Sequence, residues 1–491
     1  MKYILDNKKP NQKYFEEISR IPRESFREQA VSDYIAAFAK GRELWFDQDK
    51  LGNVIIKKNG TKGYEDLEPV MLQAHLDMVC EKEPGSSFDF STESIKLIAE
   101  DGWVKAQGTT LGADDGAGAA LMLAILDNQV IRHPPLECVF TVQEEDGMGG
   151  ARYLDYSKLA SKRLIALDGL EEGVTIVSTT GIHCGYVMKE CPMTHNGKAA
   201  FSLKVSGLQG GHAALNIGKG QGNAIKIAAQ ILSVICRVNP VHLISMTGGT
   251  ILNGIPQECE VLFTLSQNVN QDCDETAVLH RIIQKTVHEI LAELKDNDPG
   301  LTVVLNSGHE AAYTLDEATS GEVIHLICML PFGVQTWSTD VPDFPVASRN
   351  LGTVSMEDGK IKIGYSCRGV STVQISDMVE QTVLIAENHD AVYQEKFHYC
   401  GYTIEEDSPL IGVWSDVFKE ETGTDLLRRR IHSGTDAGTI AEKMGGMDII
   451  VLMPNTRNVH TPSERMELAS FDRTYQYLKK ILGRLGMELL I

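Results

Sequence analysis

No run of the chain approaches the ~18 uncharged apolar residues that a bilayer-spanning helix needs, so no transmembrane segment is expected. The first residues, MKYILDNKKPNQKYFEEISRIP, contain neither an apolar h-region nor a small-residue cleavage site, and no secretory signal is expected in them. No CxxC pair occurs among the ten cysteines, at positions 80, 138, 184, 191, 236, 259, 273, 328, 367 and 400. Isolated thiols in a long chain read as reduced core filler, so a cytoplasmic location is expected and redox chemistry is disfavoured. Cations are short: 46 Lys and Arg stand against 67 Asp and Glu, a net charge of −21. Such an acidic surface repels phosphate backbones and argues against nucleic acid as a partner. Repeats and low-complexity tracts are also missing. With 43% apolar and 23% charged residues, the composition is that of a globular protein, and 491 residues make two or three domains the expectation.

What is present is a change of texture along the chain. In the first third, short apolar runs alternate with helical segments. Residues 69–74 (PVMLQA), 136–142 (LECVFTV) and 163–167 (RLIAL) read as buried strands, and 116–128 (GAGAALMLAILDN) as a helix rich in small residues. That alternation predicts a mostly parallel sheet covered on both faces. From about residue 181, half-exposed strands at 199–205, 258–265 and 360–366 alternate with long helices at 223–237, 275–295 and 372–388. This predicts an α+β unit with one open sheet face. Near residue 400 the first texture returns, with helices at 436–444 and 471–485 and a buried strand at 448–453 (DIIVLM). The expected architecture is therefore an α/β domain with a mostly parallel sheet, 1–183 with 400–491, interrupted by an inserted α+β domain, 184–399.

The acids and histidines fall in register with these strands. His75 and Asp77 follow PVMLQA. Asp114 and Asp115 precede the small-residue helix. Glu144 and Glu145 follow LECVFTV, Asp168 follows RLIAL, and His460 follows DIIVLM after a short loop. In open α/β sheets the carboxyl edge of the strands is where ligands bind. Each cluster alone could be a turn, a helix cap or a solvated pair of charges. Together, His75, Asp114, Glu145, Asp168 and His460 offer two imidazoles and three carboxylates, a donor set suited to two zinc ions with one carboxylate bridging. Asp77 could then accept the second ring N–H of His75, and Glu144 could take a proton from an attacking water.

The phrases QAHLDMV, GTTLGADDGAGAA, VQEEDGMGGA, ALDG and NVHTPSERM, in this order, resemble the di-zinc peptidase family that contains carboxypeptidase G, aminoacylase and the cytosolic dipeptidases. GTTLGAD and the closing H-x-P-x-E-R are most similar to its branch of bacterial aminoacyl-histidine dipeptidases. The resemblance implies that His75 and Asp168 bind one metal and Glu145 and His460 the other, with Asp114 bridging. It implies that Asp77 orients His75 and that Glu144 is the general base. Asp115 stands where some relatives carry Asn. The cofactors implied are two divalent ions per chain, Zn2+ first, with Mn2+ or Co2+ as alternatives.

In the inserted domain, Gly210-Gly211-His212 resembles a lid histidine that reaches a neighbouring subunit's site and donates to the oxyanion. Asn253 falls in an Asn-x-Ile-Pro element of the lid. Arg368 resembles an arginine that grips the substrate carboxylate, and the segment around Gly434, His432 to Asp436, resembles a substrate-side loop opening onto a helix. Dipeptide substrates and a homodimer through the lid domain are implied. Two alternatives stay open: an N-acyl amino acid deacylase on the same site, and a metal-binding scaffold without catalysis. His133, His183, His195, His242, His280, His288, His309, His325, His389 and His398 read as structural, and Trp103, Trp337 and Trp414 as packing residues.

Overall fold

In the computed structural model, residues 3–266, 275–294, 296–357 and 359–485 are described. Cys273 and the side chain of His309 lie outside the described residues. The chain divides into two compact units, Met1–Thr179 with Tyr399–Ile491, and Thr180–His398. The expected boundaries, at 183/184 and 399/400, lie a few residues further on. The strand Gly181–Glu190 belongs whole to the second unit, which moves the first boundary back.

The first unit is built on six strands: β1 (Trp45–Gln48), β2 (Val54–Lys58), β3 (Val70–His75), β4 (Leu136–Thr141), β5 (Arg163–Ala166) and β6 (Asp448–Val451). Their order is β1-β2-β4-β3-β5-β6. The last four are parallel, and β1 and β2 form an antiparallel edge. Every residue of β3 and β4 is buried, as continuous apolar runs covered on both faces require. The sheet is flanked by α1 (Pro10–Ser19), α2 (Gln29–Lys40), α3 (Ala113–Asp127), α4 (Pro409–Thr422), α5 (Asp436–Lys443) and α6 (Leu468–Arg484). In α3, residues 116–126 are all buried, so this helix is apolar on every side and runs through the core rather than over it. Its small residues permit that. A Cβ on Gly118 would lie 2.1 Å from the Leu167 carbonyl oxygen and 2.3 Å from Asp115 Oδ1.

A small sheet completes the unit. Thr456–Arg457 and Arg465–Glu467 pair antiparallel, and the second of them pairs with Trp103–Ala106. His460 therefore sits in the connection of a short hairpin.

The second unit holds a larger sheet, in the order Thr302–Leu315, Met193–Ser206, Cys259–Leu265, Val241–Gly248, Pro345–Glu357, Lys360–Gly369, Gly181–Glu190 and Val392–Tyr399, with Gly333–Trp337 paired to Pro345–Glu357. Its described registers are antiparallel. Helices Ala224–Cys236, Glu275–Leu294, Glu317–Met329 and Thr372–Glu387 contribute to its separate core. Nine cysteines are described and all are free thiols. No helix among the described residues is long and apolar enough to cross a membrane. Trp414 is buried as expected, but Trp337 keeps 46% of its surface exposed, because it stands on the peripheral strand Gly333–Trp337.

Gly118 provides a test in which two effects oppose each other. Gly118→Ala gains up to about 1 kcal/mol of helix propensity. Overpacking against Leu167 and Asp115 costs about 1–3 kcal/mol. Urea denaturation is expected to show net destabilisation; a stabilised variant would contradict the close packing of α3 on the sheet edge.

Candidate active site

The carboxyl edge of the parallel strands gathers the acids and histidines of the first unit. His75 is the last residue of β3 and its side chain is 1% exposed. Its Nε2 lies 3.2 Å from Asp114 Oδ1, and its Nδ1 lies 3.5 Å from Asp77 Oδ1 and 3.2 Å from the Asp77 carbonyl oxygen. The second oxygen of Asp114 lies 3.2 Å from His460 Nε2, which is also 3.0 Å from Glu145 Oε1. Asp114 thus turns one carboxylate oxygen to each imidazole. Ligand atoms of His75, Asp114 and Glu145 all fall within 4.8 Å of one another. Two imidazoles and several carboxylates at such separations fit divalent cations of the zinc type.

Asp168, after β5, is close enough for the charges of Asp114, His75 and Glu145 to act on it. Burial first, and then the Asp114 charge, push its carboxyl up to about 7. Burial also raises Glu144 and Glu145, and neighbouring carboxylates add to the effect. Burial opposes protonation of His460, but Asp114 and Glu145 outweigh it and raise this imidazole to about 10. A cation placed among these groups would reverse that logic and hold the acids ionised.

Buried carboxylates hold the loops. Asp77, fully buried, accepts the backbone N–H of Glu144 at 3.0 Å and of Glu145 at 3.1 Å, and the Ser25 hydroxyl at 2.8 Å. Asp115 accepts the N–H of His75 and of Gly118, each at 3.0 Å, and so ties the end of β3 to α3. The backbone at Asp114 and Asp115 is not helical, and regular helix starts at Gly116. Glu464, just past His460, accepts N–H groups from Leu111, Gly112 and Ala113 at 2.7–2.8 Å. The buried Arg23 donates to the Leu76 and Asp77 carbonyls, each at 2.9 Å, and to that of Gly112.

Arg23 was not singled out from the sequence, and Glu464 entered only as a letter of the closing H-x-P-x-E-R motif, with no role given to it. They act on backbone groups 53 and about 350 residues away, so no local spacing reveals them. Asp436, the first residue of α5, was expected only as the start of the helix 436–444, where the loop around Gly434 opens, and was given no role of its own in the site. It is fully buried, lies 3.4 Å from Gln73 Nε2, and is pushed up to about 7 by burial, with the Asp77 and Glu145 charges adding to the rise. Gly434, itself buried, lies two residues before it, in the half-buried loop that opens onto α5.

The other three candidates lie in the second unit. His212 is exposed and caps the helix Ala213–Asn216, its Nδ1 accepting the Ala214 N–H at 3.3 Å. Gly211–His212 pairs with Gly254–Ile255, and the Asn253 carbonyl accepts the Ala213 N–H at 2.7 Å. Arg368, only 2% exposed, donates to Asn253 Oδ1 at 3.0 Å. His212, Asn253 and Arg368 therefore belong to one local structure. Arg368 lies inside the strand Lys360–Gly369, not after it.

Asp168 gives the site an electrostatic signature. Its folded-state value of about 7 exceeds the ordinary 3.8 of an unfolded chain, so its ionisation opposes folding. That cost is absent below about pH 4, grows through pH 7 and then levels. In chelator-treated protein, Asp168→Asn should therefore raise the melting temperature, by an amount that increases from pH 4 to 7. In the presence of zinc the same substitution should lower it. Calorimetry that found one sign in both conditions would contradict a cation-compensated acid cluster.

Comparison with known proteins identifies the family. The model of Peptidase family M20/M25/M40 matches residues 71–484. The cytosol non-specific dipeptidase of Escherichia coli is 30% identical over 471 residues, covering 95% of this chain and 96% of that protein. The crystal structure of aminoacylhistidine dipeptidase from Vibrio alginolyticus superposes with a TM-score of 0.81 at 27% identity, covering 97% and 96% of the two chains. A tripeptidase from Staphylococcus aureus shares the fold at a TM-score of 0.55 and 17% identity, over 98% and 99%. With strand-end acids and histidines converging on Asp114, and a family match that spans most of its length, the chain belongs to peptidase family M20/M25/M40.

Proposed function

We propose that this protein hydrolyses dipeptides, with broad specificity that includes Xaa-His substrates, at a site that holds two divalent cations. The observation that carries the reading is Asp114, whose two carboxylate oxygens face two different imidazoles, those of His75 and His460, at 3.2 Å each. Similarity to proteins named as cytosol non-specific dipeptidase and aminoacylhistidine dipeptidase supports the substrate class. Asp114 is the proposed bridging ligand, with His75 and Asp168 on one side and Glu145 and His460 on the other. Zinc suits this mixture of nitrogen and oxygen donors, and manganese or cobalt are accommodated by the same set. When bound, such a pair of ions polarises a scissile carbonyl and lowers the pKa of water.

The residues of the chain do the rest. Asp77 faces His75 Nδ1 and fixes the tautomer that leaves Nε2 free to ligate. Glu144 is the proposed general base. It takes the proton from the attacking water as the C–O bond forms and delivers it to the amine nitrogen as the C–N bond breaks. Its raised proton affinity, set first by burial and then by Glu145 and Asp168, suits a group that must hold that proton between the two steps. His212 is proposed to stabilise the oxyanion. Its Nδ1 accepts a backbone N–H, so its ring proton sits on Nε2, where it can donate. Arg368, Asn253 and the Gly434 loop are proposed to recognise the free carboxylate and so limit substrate length. The resemblance further implies a cytoplasmic homodimer in which His212 serves a second copy's site. Alanyl-histidine assayed against an N-acetyl amino acid separates peptide hydrolysis from deacylation.

Two substitutions divide these roles. Glu144→Gln is expected to lower kcat by about 10²–10⁴-fold, while mass spectrometry of the metal content finds both ions retained. Full activity would remove Glu144 as the base. His212→Ala is expected to lower kcat by about 10²–10³-fold with unchanged metal content; an unaltered kcat would remove it from the oxyanion role.

A further inference from the structure

Two histidines read from the sequence as isolated structural residues meet, in the second unit, on one carboxylate. His183 lies near the start of the strand Gly181–Glu190, and Glu395 and His398 lie on Val392–Tyr399, the edge strand beside it. His183 Nε2 is 3.1 Å from one Glu395 oxygen, and His398 Nδ1 is 2.7 Å from the other. The two imidazole rings are stacked, with centroids 5.7 Å apart and planes within 7°. One ligand atom from each of the three residues falls within 4.8 Å of the other two. The remaining nitrogen of His183, Nδ1, is 2.9 Å from the Tyr393 hydroxyl.

We propose that His183, Glu395 and His398 form a binding site in the second unit for one divalent cation of the zinc class. The two imidazole nitrogens are borderline donors, and beside one harder carboxylate oxygen they favour zinc, cobalt, nickel or copper over magnesium or calcium. Held by hydrogen bonds alone, this cluster needs a proton on each nitrogen that faces Glu395. A single divalent ion replaces both protons and gives the carboxylate one charge to meet. With His183 Nε2 ligating, its Nδ1–H donates to the Tyr393 oxygen, which fixes the ring as outer partners of metal-bound histidines do. The side chains of Glu395 and His398 are about half exposed, so the ion exchanges with solvent and water completes its coordination. The site ties the strand on which the chain comes into the second unit to the edge strand by which it leaves. Edge strands pair on one side only, and a cross-strand ligand set secures this one.

The test compares the full-length zinc-loaded enzyme with His398→Ala and Glu395→Gln after dialysis against the same zinc buffer. Mass spectrometry should find one zinc per chain fewer in each variant, and Cu2+ added to the wild type should give a spin-resonance signal with coupling to two nitrogens that His398→Ala lacks. Dipeptide hydrolysis should be unchanged in both variants, which also shows that they fold. Because the readout is a difference in metal count, it does not depend on how many ions the first unit holds. Equal zinc content in all three proteins would overturn the proposal and leave a His–Glu–His hydrogen-bond cluster. If His398→Ala fails to fold, the near-isosteric Glu395→Gln decides alone.

Discussion

Asp77, Asp115 and Glu464 each use a carboxylate to collect backbone N–H groups from the strand end, the first helical turn and the loops at the sheet edge. Asp77 takes two from the Glu144–Glu145 turn, Asp115 takes those of His75 and Gly118, and Glu464 takes three from the stretch before Asp114. Hydrogen bonds to an ionised acceptor are worth about twice neutral ones, and a buried N–H left without an acceptor costs about 1–3 kcal/mol. The loops at the sheet edge are therefore held by side chains from other segments, and the candidate ligands inherit their positions from those loops.

The same arrangement concentrates negative charge. Asp77, Asp114, Asp115, Glu144, Glu145, Asp168, Asp436 and Glu464 act on one another across the edge. Arg23 is the buried cation among them, and its charge acts on Glu464, Asp77 and Asp115. It binds carbonyls of both the His75–Asp77 segment and the turn before Asp114, so it also joins two loops distant from it along the chain. One arginine and two histidines do not neutralise eight carboxyl groups. The proposed cations answer that imbalance, which makes the site an electrostatic demand built into the fold.

The strand ends were legible in the sequence because parallel strands bring their carboxyl termini to one edge. Short apolar runs located β3, β4, β5 and β6, and the acid or histidine that directly follows β3, β4 and β5 came with them, whereas His460 lies nine residues past β6 in a hairpin of another sheet. The first turn of α3 was legible to within a few residues, because Gly116 begins the regular helix while Asp114 and Asp115 do not adopt it. The roles of Arg23 and of Glu464, the latter visible only as a motif letter, were illegible because their partners are main-chain atoms, which carry no residue-specific signal. The second unit was readable as alternating strands and helices, but an antiparallel sheet of this size does not reveal which strands are neighbours. His183 and His398 therefore read as separate residues, although the sheet order places their strands side by side. The shift of the first boundary has a similar origin, since the texture of the strand beginning at Gly181 does not say which sheet it joins.

Anomalous diffraction at the zinc absorption edge, on crystals of the zinc-loaded protein, tests the central claim most directly. At the sheet edge of the first unit the account predicts two peaks about 3.5–4 Å apart, with the Asp114 carboxylate between them and His75 and His460 on opposite peaks, separate from any peak at His183 and His398. A single peak, or none within coordination distance of Asp114, would contradict it.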